Sequence, residues 1–192
     1  MSRKRRIGVF GGLFDPIHNG HLAVAKVAQR ELNLDRVVFF PTGNPVHKNN
    51  QKIAPFDIRY SMVKKAIEPY DSFQVSMQDN IPDQPSYTEL LLKRIMKKGS
   101  LYFLLIGGDT LAQLTSWHNY KWILNNVKIA VIPRGKMDKV KKIFKYTADI
   151  SILKGSLVDI SSTQIREDFE THCSQLPVAI REIAEGVYLK SA

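Results

Sequence analysis

Gly11-Gly12-Leu13-Phe14-Asp15-Pro16-Ile17-His18-Asn19-Gly20-His21 stands between two apolar segments of different periodicity. Ahead of it, Ile7 to Phe10, with Gly8 among them, reads as a buried strand; behind it, Leu22 to Ala28 reads as a helix. Two glycines leaving a strand let backbone amides approach a bound anion closely. His18 and His21, three positions apart at the first turn of a helix, point their rings to one side. They share that side with helix amides that have no intrahelical partner and favour phosphate. The residue types suit the phosphates of a nucleotide, with imidazoles to meet charge that develops during reaction.

The same residues admit blander readings. A double glycine after a strand can be only a tight turn, and Asp15 before Pro16 can be a turn former. An H-x-x-H run could begin a metal site, but zinc takes three or four ligands. His47, His118, His172 and Cys173 offer no second paired spacing, so no metal ligand is assigned. The G-x-x-x-x-G-K-[ST] loop and the G-x-G-x-x-G fingerprint are both missing, so any nucleotide must be held by another device.

Far along the chain, Ile160-Ser161-Ser162-Thr163-Gln164-Ile165-Arg166 forms a second cluster of phosphate-binding residue types. Ser161 with Gln164 matches a capping box, so a helix should begin here. Hydroxyls of Ser162 and Thr163, free amides and the Arg166 guanidinium one turn later would converge where a polyphosphate is best held.

Composition agrees with a globular fold. The chain has 192 residues, 44% of them apolar and 24% charged, and is read as one domain spanning 1–192. Its one cysteine fits a reducing compartment and leaves no internal disulfide framework. Arg3-Lys4-Arg5-Arg6 could mimic the start of a secretory signal, but Gly11-Gly12 breaks the apolar stretch after it. No segment approaches membrane-spanning length, and a cytoplasmic protein is expected. The formal charge of +10 comes largely from Arg3 to Arg6 and from Lys136, Lys139, Lys141, Lys142 and Lys145. Such a balance suits an enzyme of triphosphates as well as a nucleic-acid binder. Aromatics do not interleave the basic runs, and Val140, Ile143 and Phe144 space the second as a solvated helix face, so nucleic acid is not the expected partner.

Short apolar or β-branched runs recur at Val37 to Phe40, Phe73 to Met77, Leu101 to Ile106, Val127 to Ile132 and Ile150 to Leu153. Helical patterns lie between them at Phe56 to Ile67, Thr88 to Met96, Tyr120 to Leu124 and Val140 to Tyr146, with a last one near Pro177 to Glu185. This alternation predicts an α/β fold with a doubly wound parallel sheet. Leu101 to Ile106 should be a central strand. Ligands of such sheets bind beyond the carboxyl ends of the strands. Gly11-Gly12, Gly107-Gly108-Asp109 and Pro133-Arg134-Gly135, each just past a strand, should gather around one crevice. The polar stretch from Pro41 to Pro55 is a candidate flap.

The first run resembles the G-x-F-D-P-x-H-x-G-H signature of the nucleotidylyltransferase superfamily, and Ile160 to Arg166 resembles its I-S-S-T-x-x-R. Within that superfamily the chain is most similar to the bacterial nicotinate mononucleotide adenylyltransferases. Pro45-Val46-His47-Lys48 resembles their P-x-H-K loop, Pro85-Ser86-Tyr87-Thr88 their P-S-Y-T segment, and Ile106-Gly107-Gly108-Asp109 their I-G-x-D turn. Ser116-Trp117-His118 falls where they carry a tryptophan followed by an aromatic or histidine. Phosphopantetheine adenylyltransferase, a sister family, usually has threonine at the position of His18 and lacks the Trp117 segment.

The resemblance implies a Rossmann-like nucleotidylyltransferase fold and transfer of AMP from ATP to nicotinate mononucleotide, releasing pyrophosphate. It implies that His18 and His21 act on the α-phosphate and that Gly20 packs against adenine. Gly11, Gly12, Gly107 and Asp109 would also bind ATP, Asp109 through the adenylate ribose. Lys48, Ser162, Thr163 and Arg166 would hold the departing phosphates, and magnesium would bridge the triphosphate. For the acceptor it implies Trp117 stacking on the pyridine, Thr88 and His118 near the carboxylate, and Arg134 near a phosphate. A homo-oligomer is compatible with the family pattern. Leu13 stands where relatives usually carry threonine or serine, and Glu89-Leu90-Leu91 where they more often have x-D-T. These departures bear on the acceptor, so nicotinamide mononucleotide, another phosphorylated acceptor and a non-catalytic nucleotide-binding homologue remain alternatives.

Overall fold

The computed structural model describes residues 3–46, 53–133, 149–154 and 160–189. In chain order the elements are β1 (Arg5–Gly12), α1 (Asn19–Glu31), β2 (Arg36–Pro41), α2 (Phe56–Ile67) and β3 (Phe73–Val75). There follow α3 (Thr88–Ile95), β4 (Ser100–Gly107), α4 (Gly108–Ala112), α5 (Tyr120–Asn126), β5 (Lys128–Ile132) and β6 (Ile150–Ile152). The chain then runs through α6 (Ser162–Glu167), α7 (Phe169–His172) and α8 (Arg181–Tyr188).

The strands form one parallel sheet in the order β3-β2-β1-β4-β5-β6. Strand order therefore reverses between β1 and β4, and a crevice opens at their carboxyl ends. Because side chains alternate along a strand, even the unbroken apolar run of β4 feeds two cores. Phe103 and Leu105 join Phe10, Phe39 and Ile132 under α1, α2 and α8. Tyr102, Leu104 and Ile106 join Val9, Val38 and Val131 under α3, α4 and α5. Helices thus cover both faces, as a parallel sheet requires.

Most expected boundaries move by one to three residues, and β1 runs on through Gly11 and Gly12; two shifts have a visible cause. β3 ends at Val75 instead of running to Met77, whose side chain is 50% exposed and has no core to enter. The last helix opens as a 3₁₀ turn at Val178–Ile180 and continues as α8 to Tyr188, beyond Glu185, because the Tyr188 ring is buried. Gly107-Gly108-Asp109, read as a turn, also starts α4. The helix expected at Val140 to Tyr146 lies outside the described residues, as do the lysines from Lys136 to Lys145. No helix among the described residues is long and apolar enough to cross a membrane.

Candidate active site

β1 delivers Gly11 and Gly12 to the floor of a cavity of about 410 Å³ at the switch point. A Cβ on Gly11 would meet no atom within 4 Å, so the backbone there lies bare to the open space. His18 and His21 line the same cavity from the start of α1, together with Gly20. The His18 backbone amide donates to Nδ1 of His21 at 3.2 Å, and the two rings lie 3.8 Å apart, centroid to centroid. His18 is only 3% exposed. A Cβ on Gly20 would fall 2.9 Å from Nδ1 of His18 and 3.3 Å from Ile160, so this glycine makes room for the His18 ring itself.

Phe14 supports the pair from below. Its ring meets His21 edge-on at 5.0 Å and packs in the same cluster as Phe10 and Phe39. It does so from a left-handed backbone (φ 50°), a conformation sustained for a bulky residue only where burial compensates it.

The second motif reaches the first. Ile160 lines the cavity beside His18. Ser161 caps α6 by accepting from the Gln164 amide, as its spacing predicts. The Ser162 hydroxyl donates to the Pro16 carbonyl at 2.9 Å, and Arg166 Nη1 to the Asp15 carbonyl at 2.6 Å. Arg166 Nη2 also donates to the Thr163 hydroxyl at 3.4 Å. Residues some 150 positions apart are therefore locked together, though Ser162, Thr163 and Arg166 flank the cavity and do not line it.

Asp15 is the node of that lock. It is buried, and its Oδ1 accepts from the Tyr188 hydroxyl at 2.6 Å and from the Ala54 amide at 3.2 Å. Burial, with the neighbouring Asp15 carboxylate, pushes the Tyr188 hydroxyl well above its ordinary value. Arg59 binds the two loops beside it. Its guanidinium donates to the carbonyls of Ala54 (2.8 Å), Leu13 (2.7 Å) and Thr42 (2.8 Å), fixing the exits of β1 and β2. Burial lowers the Arg59 value, against the charge of Asp15.

Gly107 and Asp109 border the cavity from the end of β4, and Thr88 and Trp117 from the opposite wall. A smaller chamber of about 280 Å³ continues past Thr88 and Trp117, lined also by Leu13, Pro45, Tyr87 and His118. Trp117 is half-buried and packs on the α3–α5 core, so it serves both core and cavity wall. His118 stacks on Tyr87 at 4.4 Å with planes 16° apart. Lys48 and Arg134 lie outside the described residues.

Asp79 and Glu89 are acids near these chambers that the motifs do not single out. Asp79 lines the main cavity, and burial pushes its carboxyl up to about 6, against hydrogen bonds from Ser86 and the Gly43 amide and the charge of Arg94. Gly43 sits so close that a Cβ there would lie 2.6 Å from the Asp79 carbonyl. Glu89, fully buried in the first turn of α3, pairs with Lys93 and accepts from Asn119 at 3.2 Å. The hydrogen bond from Lys93 holds its carboxyl below the usual range. Among the described residues no three His, Cys, Asp or Glu side chains gather as a metal cage.

A doubly wound sheet with a glycine-floored crevice at its switch point defines a nucleotide-handling α/β protein. The family model described as cytidylyltransferase-like matches residues 9–168. A Clostridium perfringens (strain 13) protein named "Probable nicotinate-nucleotide adenylyltransferase" is 41% identical over 173 residues, covering 85% of each chain. A Clostridium botulinum (strain Eklund 17B) protein of the same name is 38% identical over 170 residues, again covering 85% of each. Among solved structures, Plasmodium falciparum nicotinic acid mononucleotide adenylyltransferase complexed with NaAD superposes with a TM-score of 0.80 at 18% identity, covering 96% of this chain and 97% of that one. The chain belongs to the cytidylyltransferase-like family and, within it, to the nicotinate-nucleotide adenylyltransferases.

Proposed function

We propose that this chain transfers the adenylyl group of ATP to nicotinate mononucleotide, a step of NAD synthesis. The observation that carries this reading is the likeness, over 85% of the chain, to adenylyltransferases of that name, met by a switch-point cavity holding both histidines. A 5′-phosphate oxygen of the mononucleotide attacks the α-phosphorus of ATP. The bond from that phosphorus to the bridging oxygen of the β-phosphate breaks, and pyrophosphate leaves with the electron pair.

The protein positions the reactants and stabilises charge. The backbone at Gly11 and Gly12 approaches the phosphates, and His18 and His21 hydrogen-bond the α-phosphate oxygens as charge builds. Gly20, Gly107 and Asp109 border the adenosine, with Asp109 accepting from the ribose. Ser162, Thr163 and Arg166, with Lys48, hold the departing phosphates, Ser162 through its amide while its hydroxyl donates to the Pro16 carbonyl. Magnesium brought in with the nucleotide would supply positive charge to offset that of the triphosphate, with no dedicated side-chain cage to hold it among the described residues. Trp117 stacks on the pyridine ring, Thr88 and His118 face its carboxylate, and Arg134 meets the acceptor phosphate. We infer further that 1–192 is one catalytic domain working in the cytoplasm.

The test is pyrophosphate release with ATP, magnesium and a panel of mononucleotides. Turnover with the nicotinate compound well above the nicotinamide one is expected; a reversed preference would reassign the acceptor, and no release with any would leave a nucleotide binder.

A further inference from the structure

Ile180, Ala184 and Tyr188 recur at a spacing that puts them on one face of the closing helical segment, and all three enter the core that holds Phe10 and Phe39. That face carries the Tyr188 hydroxyl to the loop after β1, where it donates to Asp15 Oδ1 at 2.6 Å. Neither Tyr188 nor Asp15 lines either chamber.

Asp15 is a buried carboxylate with two guanidinium groups near it. Arg59 is committed, since Nε, Nη1 and Nη2 each donate to a different backbone carbonyl. Arg166 is not. Of the five N–H groups of a guanidinium, Nη1 gives one to the Asp15 carbonyl and Nη2 gives one to Thr163 at 3.4 Å. The others meet no acceptor among the described residues. Nη1 stops 3.9 Å from Asp15 Oδ2, beyond hydrogen-bonding reach. A buried carboxylate must find donors, and here the Tyr188 hydroxyl and the Ala54 amide satisfy it without Arg166.

Resting on the adenylyl transfer proposed above, in which Arg166 holds the departing pyrophosphate, we propose that Tyr188 is a positioning residue for Arg166. By satisfying Asp15 it keeps that carboxylate from capturing the guanidinium, which is left to face phosphate. Without the hydroxyl, Oδ1 retains only the Ala54 amide, and the uncommitted cation within reach is Arg166. Its Nη1 then closes on the carboxylate, and the guanidinium turns from the phosphates toward the protein.

The experiment runs the reaction in reverse, with nicotinate adenine dinucleotide, magnesium and pyrophosphate. KM for pyrophosphate and Tm are measured in the wild type, Tyr188→Phe, Asp15→Asn/Tyr188→Phe, Arg166→Ala and Arg166→Ala/Tyr188→Phe. Tyr188→Phe should raise KM for pyrophosphate about tenfold, the scale of one charge-assisted hydrogen bond, and leave KM for the dinucleotide unchanged. Asp15→Asn removes the capturing charge, so Asp15→Asn/Tyr188→Phe should return to near the wild-type value. Arg166→Ala should raise the same KM, and adding Tyr188→Phe to it should change nothing further. A lower Tm with unchanged KM for pyrophosphate would leave Tyr188 a structural role alone and overturn the assignment. So would losses that multiply with Arg166→Ala, or a KM that stays high in Asp15→Asn/Tyr188→Phe. That last variant buries no unmatched charge, so it decides even if Tyr188→Phe fails to fold. An active wild type whose Tyr188→Phe variant keeps its KM removes this inference alone; a wild type that turns over no dinucleotide removes the proposed function and this inference with it.

Discussion

The backbone amide of His18 donates to Nδ1 of His21 across 3.2 Å, so the neutral His21 ring must carry its proton on Nε2. The helix start thus sets the tautomer of its own third residue. With Phe14 against its edge at 5.0 Å, the ring is oriented before any substrate arrives. His21→Ala should therefore lower kcat about 10²–10³-fold while changing KM for ATP much less, as for loss of a transition-state donor. Steady-state pyrophosphate release checks this, and near-full turnover would refute the role.

Arg59 answers to stability and site geometry together. Removing it orphans the carbonyls of Ala54, Leu13 and Thr42 in a region where the residue is 2% exposed. Arg59→Ala should cost about 3 kcal/mol, or roughly 6–12 °C in Tm for a chain of this size. Arg59→Lys should restore only part, since an ammonium cannot fan out to carbonyls on three segments. Thermal unfolding of both variants measures the difference.

Asp79 makes stability fall as pH rises. Its carboxyl moves from an ordinary 3.8 to about 6 on folding, chiefly by burial. Between those values the native chain keeps a proton that the unfolded chain has released, so this contribution declines through that window and stays lost above it. Asp79→Asn should gain roughly 1–2 kcal/mol at pH 8, allowing for partial solvent screening, and nothing at pH 4. Denaturant melts at the two values decide the matter; an equal gain at both would assign the effect to packing instead.

The periodic part of the chain was readable and the cross-chain part was not. Strands such as Leu101 to Ile106, and the Ser161–Gln164 cap, follow from local pattern, which neighbours in sequence determine. Both signatures stood out because each sets paired histidines, or hydroxyls with a guanidinium, at a helix start in the order of a known family pattern. Arg59 looked like any solvated helix arginine, and nothing near Tyr188 announced a partner 173 residues away at Asp15. Asp79 and Glu89 were hidden for the same reason: burial of a charge is decided by elements remote along the chain. Gly20 was legible as a site of close approach, but the first group it approaches is the ring of His18.

Gly11 and Gly20 separate binding from positioning. A methyl on Gly11 would stand in the open cavity with no protein atom within 4 Å, so Gly11→Ala should leave Tm within about 1–2 °C of wild type. It would occupy the space a nucleotide phosphate needs, and KM for ATP should rise at least tenfold. A methyl on Gly20 would instead press on Nδ1 of His18 at 2.9 Å and on Ile160 at 3.3 Å. The ring must shift, and a displacement of that order at a catalytic group costs about 10²-fold. Gly20→Ala should therefore act mainly on kcat, where Gly11→Ala acts mainly on KM. Finding the two effects exchanged would mean that the nucleotide enters over His18 and not over the end of β1.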